Sequence, residues 1–277
     1  MDHELIAGMS LPVVGLGTLR LMGDECVSIV SDAIGLGYRH IDTARKYGNE
    51  EPVGEGIRRS GIARSEVIVT TKLDHPELAP ELVGPAVESS LQRLGLDYVD
   101  ILLIHWPNPD VPLAATIEAM EEARLQGRTR AIGVANFPLA LLDQVAGLPH
   151  FVGNQVEYHP YLAQEQVLQM VRANGLVLTA YCPLGRGGEL LEDPVLREIA
   201  ADYGRSVPQI VLRWLVEQER VVVIPRSSNV AHLRENLDIF DFQLDPGARA
   251  AIGALARGAR LVSPAHAPQW DDPVGSR

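Results

Sequence analysis

The chain has 277 residues, 46% of them apolar, and a formal net charge of −12. That length and apolar fraction suffice for one sizeable core. The acidic balance argues against a nucleic-acid or anionic-membrane surface, while leaving room for an anionic small substrate at a locally basic pocket.

Only two cysteines occur, Cys26 and Cys182, with neither disulfide-framework nor metal-type spacing, so a reducing compartment is the default. The N-terminus opens Met-Asp-His-Glu without a basic or apolar targeting region, and no run approaches the length of a membrane span. A cytoplasmic protein is expected.

In chain order, the first ten residues carry an Ala7-Gly8 turn and read as a hairpin beneath the first strand. Short β-branched apolar runs follow at 12–17, 38–42, 66–72, 99–104, 129–135, 151–156, 176–181 and 221–224. Most lack polar alternation, as strands covered on both faces do. Helical patterns fill the gaps at 25–36, 50–60, 80–95, 113–126, 139–146, 163–174, 207–218 and 229–237. In 80–95 the expected apolar face holds Leu82, Ala86, Ser90 and Leu94, flanked by Val83, Val87 and Leu91. The proline-rich tail at 262–273 reads as a loop. Eight strand–helix repeats without a linker predict an α/β fold, a single (β/α)8 TIM barrel over 1–277 with the hairpin closing its bottom. The rival, a doubly wound dinucleotide domain, needs Gly-x-Gly-x-x-Gly after the first strand. Here Gly15 and Gly17 are followed by Arg20 at the third position, so that fingerprint fails.

Active sites of such barrels gather at the C-terminal ends of the strands. The polar residues there are Asp42, Tyr47 one loop later, Lys72 and His105. Together they suit proton donation to a carbonyl. Tyrosine is a weak acid near pH 7, an adjacent ammonium lowers its pKa, and a carboxylate compensates a buried lysine. Read singly, each has a structural alternative: a helix cap, a loop aromatic, a solvated strand-end lysine, a satisfied histidine. Convergence from three consecutive strands favours the chemical reading. The eight histidines are scattered without ligand spacing, so no metal is expected.

Gly-Leu-Gly-Thr (15–18), Tyr-Arg-His-Ile-Asp-Thr-Ala (38–44), Tyr-Gly-Asn-Glu (47–50), Thr-Lys-Leu (71–73) and His-Trp-Pro (105–107) follow one another in order. Gly-Val-Ala-Asn-Phe (133–137), Asn-Gln-Val-Glu (154–157), Tyr-Cys-Pro-Leu-Gly (181–185), Ile-Pro-Arg-Ser (224–227) and Glu-Asn (235–236) complete the series. Through them the chain resembles the aldo-keto reductase family over nearly its whole length, and most of all the short prokaryotic members similar to 2,5-diketo-D-gluconate reductases. The resemblance implies reduction of a small-molecule carbonyl by NADP(H), with NAD(H) as a second cofactor. Tyr47 would be the proton donor, Lys72 and Asp42 would tune it, and His105 would orient the carbonyl. It further implies a cofactor site of Gly17, Thr18, Asn136, Gln155, Tyr181, Pro183, Leu184, Gly185, Pro225, Arg226, Ser227, Ser228, Asn229, His232, Glu235 and Asn236. Of these, Asn136 and Gln155 would hold the nicotinamide carboxamide, Tyr181 would stack on the ring, and Glu235 and Asn236 would meet the adenine. The 225–229 segment, opening a helix with a guanidinium beside it, suits phosphate.

Departures from the family pattern refine the expectation. Ala135 stands where a serine is common. His232 replaces the arginine that NADPH-preferring relatives set against the 2′-phosphate, which predicts a relaxed NADPH/NADH preference. On the substrate side, Leu19, Arg20, Tyr47, His105, Trp106 and Trp270 are the candidates. Leu19 and Asp74 take positions often aromatic in the family, and Trp270 would close over the site. Small aldehydes, α-dicarbonyls and keto-sugars are all compatible. A monomer is expected, by analogy with relatives of this length. Two other readings compete: a Schiff-base lyase using Lys72, and a cofactor-binding regulatory subunit with little turnover.

Overall fold

The computed structural model of the chain describes residues 2–271. Positions 272–273 of the expected tail loop, and the outermost residues of the expected domain, lie outside the described residues.

The hairpin is present: β1 (His3–Ile6) pairs antiparallel with β2 (Met9–Pro12), turning through Ala7 and Gly8 at φ 48° and 74°. The first barrel-type strand is therefore shorter than expected. Met9–Pro12 is spent on the hairpin and only Leu16–Gly17 forms β3. Then come α1 (Gly23–Leu36), β4 (His40–Asp42), α2 (Glu50–Arg59), β5 (Ile68–Leu73), α3 (Pro80–Leu94) and β6 (Val99–Ile104). They are followed by α4 (Leu113–Leu125), β7 (Thr129–Ala135), α5 (Leu139–Leu142), β8 (Phe151–Glu157), α6 (Glu165–Ala173) and β9 (Val177–Tyr181). The chain continues through α7 (Pro194–Tyr203), α8 (Val207–Val216), β10 (Val221–Val223), α9 (Val230–Leu237) and α10 (Pro246–Gly253).

Strands β3 to β10 form one parallel sheet in sequential order, each beside its chain neighbour. The sheet curls until its two edges meet. Val223 N donates to Val13 O and Gly15 N to Val223 O, both at 2.8 Å. Every residue of β6 and of β8 is buried, which explains why these strands carry no polar alternation. The hairpin lies at the N-terminal ends of the strands, where Arg220 N, just before β10, donates to Glu4 Oε1 at 3.1 Å. Leu11 of β2, 1% exposed, lines the same small interior space as His40, Thr70, Asn154 and Thr179 from four strands.

Most helices lie within two residues of the expected spans. Two were not anticipated. α7 and α10 each start at an aspartate whose side chain accepts first-turn amides and is followed by proline, Asp193-Pro194 and Asp245-Pro246. That is a recognised start signal. Segment 139–146 is helical only to Leu142; Val145 and Ala146 continue as turns on Leu142 O. On α3, Leu82 is exposed rather than on the apolar face, and burial falls on Val83, Ala86, Val87, Ser90, Leu91 and Leu94.

Candidate active site

The C-terminal ends of the strands carry a connected polar cluster. Asp42 ends β4, and β5 places Lys72 in register two residues beyond the Asp42–Thr70 pair, on the same face of the sheet. Lys72 Nζ donates to Asp42 Oδ1 at 2.5 Å and to Thr43 O at 2.7 Å. Tyr47, brought back by a short helical turn after β4 that ends at Gly48 with φ 66°, sets its hydroxyl 3.5 Å from Lys72 Nζ. His105 presents its ring edge-on to Tyr47, centroids 5.6 Å apart. The second carboxylate oxygen of Asp42 accepts Gln155 Nε2 at 2.7 Å. Asp42, Tyr47, Lys72 and His105 thus meet in space, as expected from sequence.

The electrostatics differ from the sequence expectation in two respects. Burial holds the Tyr47 phenol well above its ordinary pKa, and Asp42, Tyr181 and Cys182 act in the same direction. The expected lowering by Lys72 does not prevail, because at 3.5 Å its charge is already shared with Asp42. Tyr47 is accordingly a neutral phenol that keeps its proton. Burial also pushes Lys72 below its ordinary value, and Asp42 opposes this without cancelling it. The compensation expected from the carboxylate is therefore incomplete. What argues against a Schiff-base role is geometry: Lys72 is 0% exposed, and its three donor directions face Asp42, Thr43 O and the Tyr47 hydroxyl. His105 is held well below its ordinary value by burial, helped by Lys72, Lys46 and His266. It is a neutral imidazole whose Nδ1 is buried without a hydrogen-bond partner among the described residues.

Beside this cluster, Asn136 adopts φ 63°, a left-handed conformation that costs asparagine less than most residues. Its Nδ2 donates to His105 O at 2.9 Å and its Oδ1 accepts the Tyr181 hydroxyl at 2.7 Å. Asn136 and Gln155 each commit one of two amide N–H groups, so each keeps one for a ligand. With half-buried Tyr181 beside them, this donor set fits a planar carboxamide-bearing ring. Thr18 is instead tied down, its Oγ1 donating to Asp42 O at 2.9 Å.

The remaining expected cofactor residues follow the mouth. Gly17 N donates to Pro225 O at 3.1 Å, and a Cβ there would come within 2.7 Å of Ile224 O. The glycine is needed for this close approach. Pro183, Leu184 and Gly185 form a turn closed by Gly185 N on Cys182 O. Arg226, Ser228, Asn229 and His232 are exposed and Glu235 is half-buried. Ser227 Oγ accepts Asn229 N, and Asn229 Oδ1 caps α9 at Ala231 N. Exposed donors of this kind at a helix start fit a phosphate group. Asn236 is 3% exposed and lies against the Tyr38 hydroxyl, so it is more enclosed than an adenine contact suggests.

On the other side of the mouth, Leu19 and Arg20 lie exposed after β3. Trp106 is buried and packs edge-on against Trp270, centroids 5.9 Å apart, and against His266 at 5.5 Å. The tail thus crosses towards His105, which stacks on Trp106. Among the described residues no three His, Cys, Asp or Glu side chains are grouped to hold a metal ion, and no helix is long and apolar enough to cross a membrane.

The aldo/keto reductase family model matches residues 13–257. The chain belongs to the aldo/keto reductase family. It is 42% identical over 271 residues to a morphine 6-dehydrogenase of Pseudomonas putida, covering 92% of this chain and 90% of that protein. It is 40% identical over 269 residues to the methylglyoxal reductase DkgB of Escherichia coli O157:H7, covering 95% and 100%. A crystal structure of a protein provisionally described as a 2,5-diketo-D-gluconic acid reductase B superposes with a TM-score of 0.93 at 41% identity, over 98% of both chains.

Sequence reasoning missed three buried polar residues that hold this site in place. Asn49 donates to Thr18 O and Leu21 O and accepts Thr43 Oγ1. Glu50, at the start of α2, accepts Thr71 Oγ1 at 2.6 Å and Arg93 Nε at 2.8 Å. Glu157 is the third. All three lie inside family-like motifs, Tyr-Gly-Asn-Glu and Asn-Gln-Val-Glu, so the signal was present, but their partners are distant in sequence.

Proposed function

We propose that this protein reduces small aldehydes or ketones to alcohols with NADPH or NADH, on a (β/α)8 barrel with the N-terminal hairpin beneath it. The observation that carries the reading is the buried Asp42–Lys72 pair with the Tyr47 hydroxyl 3.5 Å from Lys72 Nζ and the neutral His105 ring packed edge-on with Tyr47. Bound nicotinamide would supply a hydride to the carbonyl carbon. The chain's own residues do the rest. Tyr47, still protonated, donates its phenolic proton to the carbonyl oxygen. The phenolate left behind lies beside the Lys72 ammonium, 3.5 Å away, and Asp42 keeps that ammonium charged and in place. His105, neutral, can donate a hydrogen bond that orients the carbonyl. Asn136 and Gln155 would hold the carboxamide and Tyr181 would stack on the ring. Arg226, with the amides and hydroxyls of 227–229, would take the cofactor phosphates.

The exposed imidazole of His232 supports a relaxed preference between the two cofactors, since it offers no permanent cation to a 2′-phosphate. Leu19, Arg20, Trp106 and Trp270 would line the substrate side. The activity named for one relative makes methylglyoxal the first carbonyl to try, and the dehydrogenase named for the other, on morphine, suggests running the same hydride exchange in the alcohol-oxidising direction as well. We read the protein as a cytoplasmic monomer; its large exposed apolar side chains, such as Leu5, Met22 and Leu125, are widely spaced along the chain.

The test is loss of reduced-nicotinamide absorbance with NADPH and NADH against methylglyoxal, diacetyl, an aromatic aldehyde and a diketo-sugar acid. Carbonyl-dependent oxidation is expected with both cofactors. Tyr47→Phe should abolish it while cofactor binding persists; unchanged turnover in that variant overturns the assignment.

A further inference from the structure

Glu157 ends β8 and is 0% exposed. An isolated buried carboxylate is costly, so its partners indicate what it is for. Oε1 accepts His159 Nε2 at 3.0 Å and Leu261 N at 2.7 Å, and Oε2 accepts Val262 N at 2.8 Å. Two of these three donors are consecutive backbone amides of the C-terminal tail. Among the described residues the tail is otherwise irregular after α10 and has no ladder of its own. Just upstream, Arg257 N and Ala259 N both donate to Tyr161 O, and the Arg257 guanidinium lies 3.9 Å from the Tyr161 ring centroid. Downstream, the tail reaches the other side of the mouth. His266 and Trp270 pack on Trp106, the Arg260 guanidinium covers the Trp270 ring at 3.7 Å, and Asp271 Oδ2 accepts Leu139 N at 2.9 Å.

We propose that Glu157 is a positioning residue: its buried carboxylate clamps the tail at Leu261–Val262 and thereby holds Trp270 and His266 against Trp106 above the catalytic cluster. The inference rests on the reductase reading only for its kinetic consequence; the clamp itself is a statement about the tail. A carboxylate suits the task because it accepts from both amides at once while His159 fixes its rotamer. Glutamine is isosteric but carries N–H donors on one side, so it must set a donor against a tail amide or against His159. Charge-assisted hydrogen bonds are the strong ones, and losing this geometry should open the tail.

The experiment compares the full-length protein with Glu157→Gln, Val262→Pro, Trp270→Ala and the Glu157→Gln/Trp270→Ala double variant. Val262→Pro removes one clamped amide without touching the buried carboxylate, so it serves if Glu157→Gln does not fold. Limited trypsin digestion read by mass spectrometry reports cleavage after Arg257 and Arg260. Roughly tenfold faster cleavage there is expected in Glu157→Gln and Val262→Pro, from the lost charge-assisted bonds. Rates equal to wild type in both overturn the clamp. In steady-state kinetics, KM for the carbonyl should rise in Glu157→Gln and in Trp270→Ala with kcat changing little in the former. The double variant should show no further rise, since both act through one contact. KM effects that multiply show that Glu157 does not act through Trp270 and also overturn the proposal. If no carbonyl is turned over by the wild type, the reductase reading fails and the trypsin comparison still decides the clamp.

Discussion

Two polar clusters occupy opposite ends of the curled sheet, and each contains a buried histidine whose protonation is resisted by burial. At the lower end His40 shares a hydrogen bond with Thr70 Oγ1 at 3.0 Å. Gly15 makes room for it, since a Cβ there would stand 2.6 Å from His40 Nδ1. The space around this pair is about 10 Å³, too little for anything beyond a single water. At the upper end His105 sits against Tyr47 beside the Lys72–Asp42 pair, with a tail rather than a hairpin over it. The residue types are similar. What separates structure from chemistry is position along the strand: His40 opens β4 and Asp42 closes it, two residues and one end of the sheet apart.

Substitutions at the two ends should separate accordingly. The largest effect is expected from Tyr47→Phe, roughly 10²–10⁴-fold in kcat, the range of a general acid, with little change in melting temperature or cofactor affinity. Lys72→Met should lose activity and also about 3–5 kcal/mol of stability, because Asp42 is left as an unpaired buried charge. Chemical denaturation measures it, and adding Asp42→Asn should recover much of the loss without restoring turnover.

At the lower end the signature is pH-dependent stability. Burial lowers the His40 pKa from 6.5 to about 4. The unfolded chain therefore takes up a proton below pH 6.5 while the folded chain does not until about pH 4. The contribution is fully present above pH 6.5 and is lost as pH falls through that window, by about 3 kcal/mol. In His40→Asn, denaturation curves across that window should be flatter than wild type by this amount, with kcat at neutral pH unchanged. A kcat that falls along with stability would break the division between the two ends. The smallest change is expected at the rim. His232→Arg should tighten NADPH about tenfold, the scale of one charge-assisted hydrogen bond, and leave NADH binding and stability as they were; titration with each cofactor reads it directly.

The strand–helix alternation was legible because parallel strands buried on both faces read as continuous apolar runs, as in β6 and β8. The meeting of Asp42, Tyr47, Lys72 and His105 was legible because strand ends are countable from those runs. Other features depended on long-range packing that local sequence does not encode. The carboxylates of Glu50 and Glu157 looked like ordinary strand and helix ends, and only the fold reveals that their partners come from Thr71 and Arg93 in one case and from the tail in the other. Neighbours alone do not predict the protonation of Tyr47, because desolvation outweighs an ammonium that is already paired. α7 and α10 carry legible Asp-Pro starts, but each is an extra helix outside the strict strand–helix alternation, α7 before α8 and α10 after α9.

The meeting of the sheet's edges has a consequence for how the molecule is made. The hydrogen bonds that join them tie Val13 and Gly15 to Val223, more than two hundred positions further along the chain. During synthesis the β3 edge stays unpaired on that side until β10 has left the ribosome, and such an edge is a template for mispairing. Ring completion is a high-contact-order event, so the emergence of β10, rather than collapse of the early strands, should time the appearance of the native state.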